Sequence, residues 1–345
     1  MSLEKYIDLR SDTVTQPSQL MREHIMKSQL GDDVFIEDPT VNALEKQAAK
    51  LLGKEKALLV PSGTMGNLIA VLVHCPRGNE VILGDCSHTF IYEAGGISAF
   101  GGVHSHQLKN EKDGTIKIDS INAAIRQDNV HFPKTSLICL ENTQNMCFGS
   151  PINNSYMHDV YKMAKANHLN VHTDGARIFN ASVALNIDIK ELVEYTDSIT
   201  FCLSKGLSSP IGSLLCGTKE FIHEARRIRK ALGGGMRQAG IIASAGQVSL
   251  NENIKQLKID HNNAKYLADE IHKISFLNIE IDRVKTNILY FSINHDSING
   301  SDFVNMMDDK KIKFFEVSKN KFRLVTHSGI SRDDVEYVIK MFNQI

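Results

Sequence analysis

A chain of 345 residues, 42% hydrophobic and 23% charged, has the makeup of a soluble globular protein and the length for a large domain with a smaller one. Its net charge of −1 supplies no field for nucleic acid or anionic lipid, and no apolar stretch approaches the roughly 20 residues a membrane span needs. Six cysteines, none in a CxxC pair, read as reduced core thiols rather than a disulfide framework or a metal site. The N-terminal "MSLEKYIDLRSDTVTQP" lacks an apolar signal core, so a cytoplasmic location is expected.

In chain order, the amphipathic pattern "NALEKQAAKLLGK" (42–54) comes first, followed by the apolar run "KALLVPSG" (56–63) and a helical "MGNLIAVLVH". The runs "NEVILGD", "TSLICLEN", "LNVHTDG", "SITFCLSKG" and "GSLLCGT" come next, with the helical "SYMHDVYKMAKANHL" (155–169) between two of them. Strands alternating with helices predict an α/β fold, a mainly parallel central sheet with helices on both faces. The short "GLSSPI" link predicts that the last two runs pair antiparallel. A helical pattern over 240–274 leads into "IEIDRVKTNILYFSI" and "NKFRLVTH", read as strands, and a closing helix from Ser331. These give an N-terminal segment (1–20), a large domain (21–245) and a small C-terminal α+β domain (246–345).

In open parallel sheets, ligands gather where strands end at their carboxyl termini. The predicted strands there are followed by Ser62, Gly63 and Thr64, by His88, by Asp174 and Arg177, and by Ser204 and Lys205. A Ser-Gly-Thr turn before a helix is a seat for a phosphate, or simply a capped helix. Asp174 is either a helix cap or the partner of a protonated ring nitrogen. Arg177 can hold a carboxylate with two parallel hydrogen bonds. His88 is a core histidine or a flat face for an aromatic ring, and Lys205 is a turn lysine or an amine kept for its chemistry. Read together, phosphate seat, acid, imidazole and amine ask for pyridoxal 5′-phosphate joined to Lys205. The absence of a GxGxxG fingerprint speaks against a nicotinamide-dependent oxidoreductase.

The segments "IDLRSDTVT", "GDDV", "EDPTVNALE", "PSGTMGN", "SHTFIYEAGG", "HTDGARIFNA", "CLSKGL", "GGGMRQAG" and "RLVTH" keep one order along almost the whole chain. With them the sequence resembles the low-specificity L-threonine aldolases, fold-type I pyridoxal-phosphate enzymes of the β-eliminating lyase superfamily. The resemblance implies that Lys205 joins the cofactor covalently, Asp174 pairs with its ring nitrogen, and His88 stacks on the ring near the substrate hydroxyl. It gives the phosphate to Gly63 and Thr64 with Ser62 and Ser204 nearby, and the substrate carboxylate to Ser11, Arg177 and Arg323. His131 is implied near the substrate side chain. The basic cluster "ARRIRKAL" (225–232) reads on pattern as a solvated helical face, but the resemblance sends Lys230 and Arg237 toward the cofactor of a neighbouring subunit in a dimer of dimers.

The implied reaction is cleavage of L-threonine or L-allo-threonine to glycine and an aldehyde, with His88, His131 or a water as the base. The nearest alternative is β-elimination from an amino acid carrying a leaving group, and a further one is cofactor binding without turnover. Two departures from the family pattern bear on substrate range: Phe35-Ile36 where Tyr-Gly is usual, and Gln144 where His is usual.

Overall fold

The computed structural model describes residues 6–345, so residues 1–5 of the expected N-terminal segment lie outside the described residues. A two-residue strand, β1 (Ile7–Asp8), opens the chain. The strands of the large sheet are β2 (Lys56–Val60), β3 (Glu80–Gly84), β4 (His104–Leu108), β5 (Thr135–Glu141), β6 (Asn170–Asp174), β7 (Ser198–Cys202) and β8 (Ser213–Gly217). The C-terminal region adds β9 (Leu277–Ile279), β10 (Ile288–Ile293), β11 (Ile312–Lys313), β12 (Phe315–Ser318) and β13 (Lys321–Val325).

The large sheet has the order β2-β8-β7-β6-β5-β3-β4. Strands β3 to β7 run parallel, and β8 lies antiparallel between β7 and β2, as the short link requires. All six apolar runs become strands, because an unbroken apolar run suits a strand covered on both faces. The seventh strand, β4, was not expected. Its sequence "HSHQL" is polar because it lies on the sheet edge with no residue fully buried.

The expected helix over 240–274 is three pieces: Gly240–Val248, a π-helical turn at Ser249–Asn253, and Gln256–Ile271. Beyond it, a four-stranded antiparallel sheet, β12-β13-β10-β9, closes on an aromatic core of Phe291, Phe303, Phe314, Phe322 and Phe342. The helix Gly300–Asp309, unanticipated, covers that core. The closing helix Arg332–Phe342 starts at Ser331 as expected, with Asp334 completing a reciprocal cap. Strand β1 pairs with β11, and Val325 N–H donates to the Leu9 carbonyl at 2.9 Å. The first turns of the chain are thereby fixed beside the C-terminal sheet, within reach of the large sheet's carboxyl end. Among the described residues no helix is long and apolar enough to cross a membrane.

Candidate active site

After β7 the chain turns through Ser204, Lys205 and Gly206. The Lys205 carbonyl accepts from Ser208 N–H at 2.8 Å and from Thr15 Oγ1 at 3.2 Å. Two residues on, the Leu207 carbonyl accepts from Ser249 Oγ at 2.8 Å and Asn253 Nδ2 at 2.9 Å. Both donors come from the π-helical turn, whose widened geometry aims two side chains at one loop. Gly206 allows a close approach, since a Cβ there would lie 2.8 Å from Leu257 Cδ2. The Lys205 side chain is half-buried, and among the described residues its ammonium has neither a carboxylate nor a hydrogen-bond acceptor. Its charge is felt by Asp12 and His88.

Asp174 ends β6, buried, one strand over. Its Oδ1 accepts from Ala176 N–H at 3.1 Å and its Oδ2 from Asn67 Nδ2 at 2.9 Å. The same Asn67 amide donates to Glu93 Oε1 at 2.8 Å, and that oxygen lies 2.9 Å from His88 Nδ1. Donor atoms of His88, Glu93 and Asp174 all fall within 4.8 Å of one another. Burial disfavours a charged His88, but the Glu93 hydrogen bond and the charges of Asp174 and Glu93 outweigh it and hold the imidazole above its ordinary value. Burial, reinforced by Asp174, raises Glu93. The buried Glu141 at the end of β5 receives the His88 backbone N–H at 2.7 Å and that of Asn145 at 2.9 Å. Burial and Asp174 raise its carboxyl to about 7.

The turn expected to seat a phosphate is a capped helix start. Ser62 Oγ caps the helix Gly63–His74 by accepting from Met65 N–H at 3.2 Å. The first-turn N–H groups of Gly63 and Thr64 have no partner within the helix. A Cβ on Gly63 would meet Cys202 Sγ at 3.0 Å and Ser213 Oγ at 3.7 Å. Ser213 Oγ itself is buried without a partner, as are Thr89 Oγ1, Thr143 Oγ1, Glu93 Oε2 and Arg323 Nε. Buried polar atoms are nearly always paired, so such atoms around one sheet edge fit a site shaped for a polar ligand. The free ammonium, the helix N-terminus and the buried acid suit a pyridoxal phosphate.

The residues expected to bind a carboxylate have partners within the chain. Arg177 donates from Nε and Nη2 to the two oxygens of Asp12, both at 2.7 Å. That two-pronged pair is buried, and the Arg177 charge holds Asp12 well below the usual carboxylate range against the cost of burial. The Arg177 fork is thus engaged within the chain, and Asp12 is a site residue that the sequence reading passed over beside Ser11. Ser11 Oγ accepts from Thr13 N–H at 3.2 Å and caps its own short turn. Arg323 donates from Nη1 to Asn145 Oδ1 at 3.2 Å and from Nη2 to the Arg10 carbonyl at 3.0 Å, leaving Nε.

Three expected residues do not join this group within one chain. His131 is exposed in the loop that enters β5 at its amino end, roughly 20 Å along a strand rising about 3.3 Å per residue from Glu141. Lys230 is exposed at the end of the helix Lys219–Ala231, and Arg237 pairs with Asp32 at 3.0 Å. The basic cluster is solvated only in part: Arg227 and Lys230 face outward, while Arg226 and Arg229 turn inward. Arg229 is buried, donates to the Leu59 carbonyl at 2.7 Å and pairs with Asp33, while Arg226 pairs with Glu45 at 2.9 Å. Ser204 shares the Lys205 turn, half-buried. Gln144 is wholly buried, and its Nε2 donates to the Cys86 carbonyl at 2.7 Å, so it braces a loop rather than facing outward. Phe35 is 67% exposed, with the Arg237 guanidinium 6.0 Å from its ring centre.

The family model for beta-eliminating lyases matches residues 8–294. A probable low-specificity L-threonine aldolase of Arabidopsis thaliana is 48% identical over 98% of this chain and 97% of its own length. The low specificity L-threonine aldolase of Escherichia coli K12 is 41% identical over 96% of this chain and 97% of its own. Among solved structures, a threonine aldolase of Leishmania major superposes with a TM-score of 0.83 at 16% identity, covering 98% of this chain and 99% of that one. This group of enzymes depends on pyridoxal 5′-phosphate. The chain belongs to the beta-eliminating lyase family, in its threonine aldolase branch.

Proposed function

We propose that the chain is a carbon–carbon lyase that cleaves L-threonine, L-allo-threonine and related β-hydroxy-α-amino acids to glycine and an aldehyde. The observation that carries this reading is the Lys205 ammonium, without a carboxylate or hydrogen-bond acceptor among the described residues, at the sheet edge that also carries the His88–Asp174 cluster, in a chain whose relatives bear that activity's name. Lys205, Asp174, His88 and the Gly63–Thr64 helix start would hold the cofactor, which when bound supplies an electron sink for the bond broken at Cα.

The chain's own residues do the rest. Arg323 holds the substrate carboxylate, braced by Asn145 and Arg10, while Arg177 acts through Asp12 to fix the N-terminal turn carrying Ser11. A fixed carboxylate fixes rotation about Cα, and positioning of this kind contributes about 7–11 kcal/mol in well-oriented cases. His88 Nε2 takes the proton of the β-hydroxyl; the Nδ1 contact to Glu93, which orients the ring, supports this choice over the exposed His131 of the same chain. A second copy completes the site in a dimer or dimer of dimers. Support comes from the exposed Phe90, Ile91 and Tyr92 just beyond His88, and from Lys230, which makes no ion pair or side-chain hydrogen bond among the described residues. Six unpaired cysteines support a cytoplasmic setting.

The test is product analysis after loading with pyridoxal phosphate. L-Threonine should give glycine and acetaldehyde in equal amounts. Ammonia and a keto acid instead would establish elimination.

A further inference from the structure

Behind Asp174 runs a buried line of polar side chains that the reaction does not touch. Asn67 Oδ1 lies 3.2 Å from His172 Nε2, His172 Nδ1 lies 2.8 Å from Ser198 Oγ, and Ser198 Oγ lies 2.8 Å from His74 Nε2. His172, Ser198 and Asn67 are essentially without solvent contact, and His74 is half-buried and stacked on Phe221 at 4.6 Å.

The direction of every bond follows from one end. Asn67 meets two carboxylates, Asp174 and Glu93, so its amide must turn the NH2 toward them and Oδ1 away. Oδ1 accepts only, so His172 carries its proton on Nε2. Burial, with His74 nearby, lowers His172 to about 3, and burial lowers His74 to about 4, so both rings are neutral near pH 7. A neutral His172 protonated on Nε2 has a bare Nδ1, which accepts from the Ser198 hydroxyl. Ser198 Oγ then accepts from His74 Nε2–H. The competing tautomer, donating from Nδ1 to Ser198 Oγ, would set a bare Nε2 against Asn67 Oδ1, two acceptors facing each other.

We propose that His74, Ser198, His172 and Asn67 form a one-way donor line that locks the Asn67 NH2 onto Asp174 and Glu93, keeping Asp174 an ionised acceptor for the cofactor's ring nitrogen. Without it, Asn67 Oδ1 is left buried without a donor and the NH2 contacts to Asp174 and Glu93 lose their backing. The charged groups beside that pair are His88 and Glu141, with Lys205 acting on His88 in turn. Asn67 and His172 are positioning residues, since neither contacts the ligand space that Lys205 and His88 border.

The first test needs no variant and no cofactor. Long-range proton–nitrogen spectra of ¹⁵N-histidine-labelled protein should show His172 neutral from pH 5 to 8, with hydrogen on Nε2 and a bare Nδ1, the resonance being assigned by its loss in His172→Gln. Hydrogen on Nδ1 would overturn the proposal. The second test rests on the cofactor reading and uses holoenzyme loaded with pyridoxal phosphate labelled at its ring nitrogen. The protonated-nitrogen signal should be lost in His172→Phe and Asn67→Leu, and retained in His172→Gln, whose amide can both donate and accept in the same line. Wild-type signal in both apolar variants would contradict the proposal. A wild-type chain that takes up no cofactor overturns the functional reading, and the tautomer test still decides this one.

Discussion

The two ends of the large sheet are both crowded with charge, yet they use it differently. At the amino end, the wholly buried Glu80 receives Arg126 Nε at 2.8 Å and Thr135 Oγ1 at 3.2 Å, with His104 at 3.5 Å and His106 at 3.4 Å. Both its oxygens are satisfied by the chain. At the carboxyl end, Glu93 Oε2, the Thr89 and Thr143 hydroxyls, Arg323 Nε and the Lys205 ammonium are left without partners among the described residues. Glu80 exhausts its bonding within the sheet, while the groups at the carboxyl end keep some capacity open.

The largest effect expected from this contrast is at the carboxyl end. Asp174→Asn should lower threonine cleavage by about two to three orders of magnitude, the range for removing a preorganised charge, with little change in the urea midpoint. A loss below tenfold would break the contrast. At the amino end the reverse should hold. Arg126→Ala leaves Glu80 buried with weaker partners and should cost about 2–4 kcal/mol in urea unfolding, while turnover per bound cofactor stays at the wild-type value. Parallel loss of turnover would show that the two ends are not separable.

Asp260 sharpens the comparison, because it is buried with Oδ2 unpaired yet lies on the helix Gln256–Ile271, behind Asp12 rather than facing a ligand. Burial, with Asp12 adding to it, raises its carboxyl to about 7 against an ordinary 3.8. The folded chain therefore binds this proton more tightly than the unfolded chain. Its stabilising contribution is complete below about pH 4 and is lost as pH rises through about 7. Between pH 5 and 8 the wild type should lose on the order of 2 kcal/mol from this group, and Asp260→Asn should flatten that slope. An unchanged slope would show that Asp260 is charged throughout.

The smallest effect lies outside both ends. Ile36, exposed, sits at φ 64°, a left-handed conformation poorly suited to a β-branched side chain. Ile36→Gly should raise stability by about 1 kcal/mol in chemical denaturation without altering turnover. A loss of stability would mean that the Ile36 side chain makes contacts that outweigh its strain.

What the sequence made legible follows from local pattern. The unbroken apolar runs disclosed β2, β3 and β5 to β8, since strands covered on both faces must be apolar along their length. The edge strand β4 was hidden because half of it faces water. The candidate residues that follow strands directly, Lys205, Asp174, His88, Gly63 and Thr64, could be singled out from their place alone, and the structure puts them at one sheet edge. Residues acting across long sequence separations could not. Asp12 meets Arg177 over 165 positions, and Ser249 and Asn253 reach Leu207 over 42 and 46. Nothing in "QVSLNEN" announces a π-helical turn. His131 was read from the family resemblance alone, and within one chain it lies in the exposed loop entering β5 at its amino end.

The central claim is that the amine of Lys205, without a partner among the described residues, carries the cofactor. The most direct test is borohydride reduction of the loaded protein, followed by peptide mapping. One reduced pyridoxyl phosphate per chain is expected, on the peptide containing Lys205, and Lys205→Ala should show none and no turnover. A label on another lysine, or threonine cleavage by the alanine variant at the wild-type rate, would contradict the account.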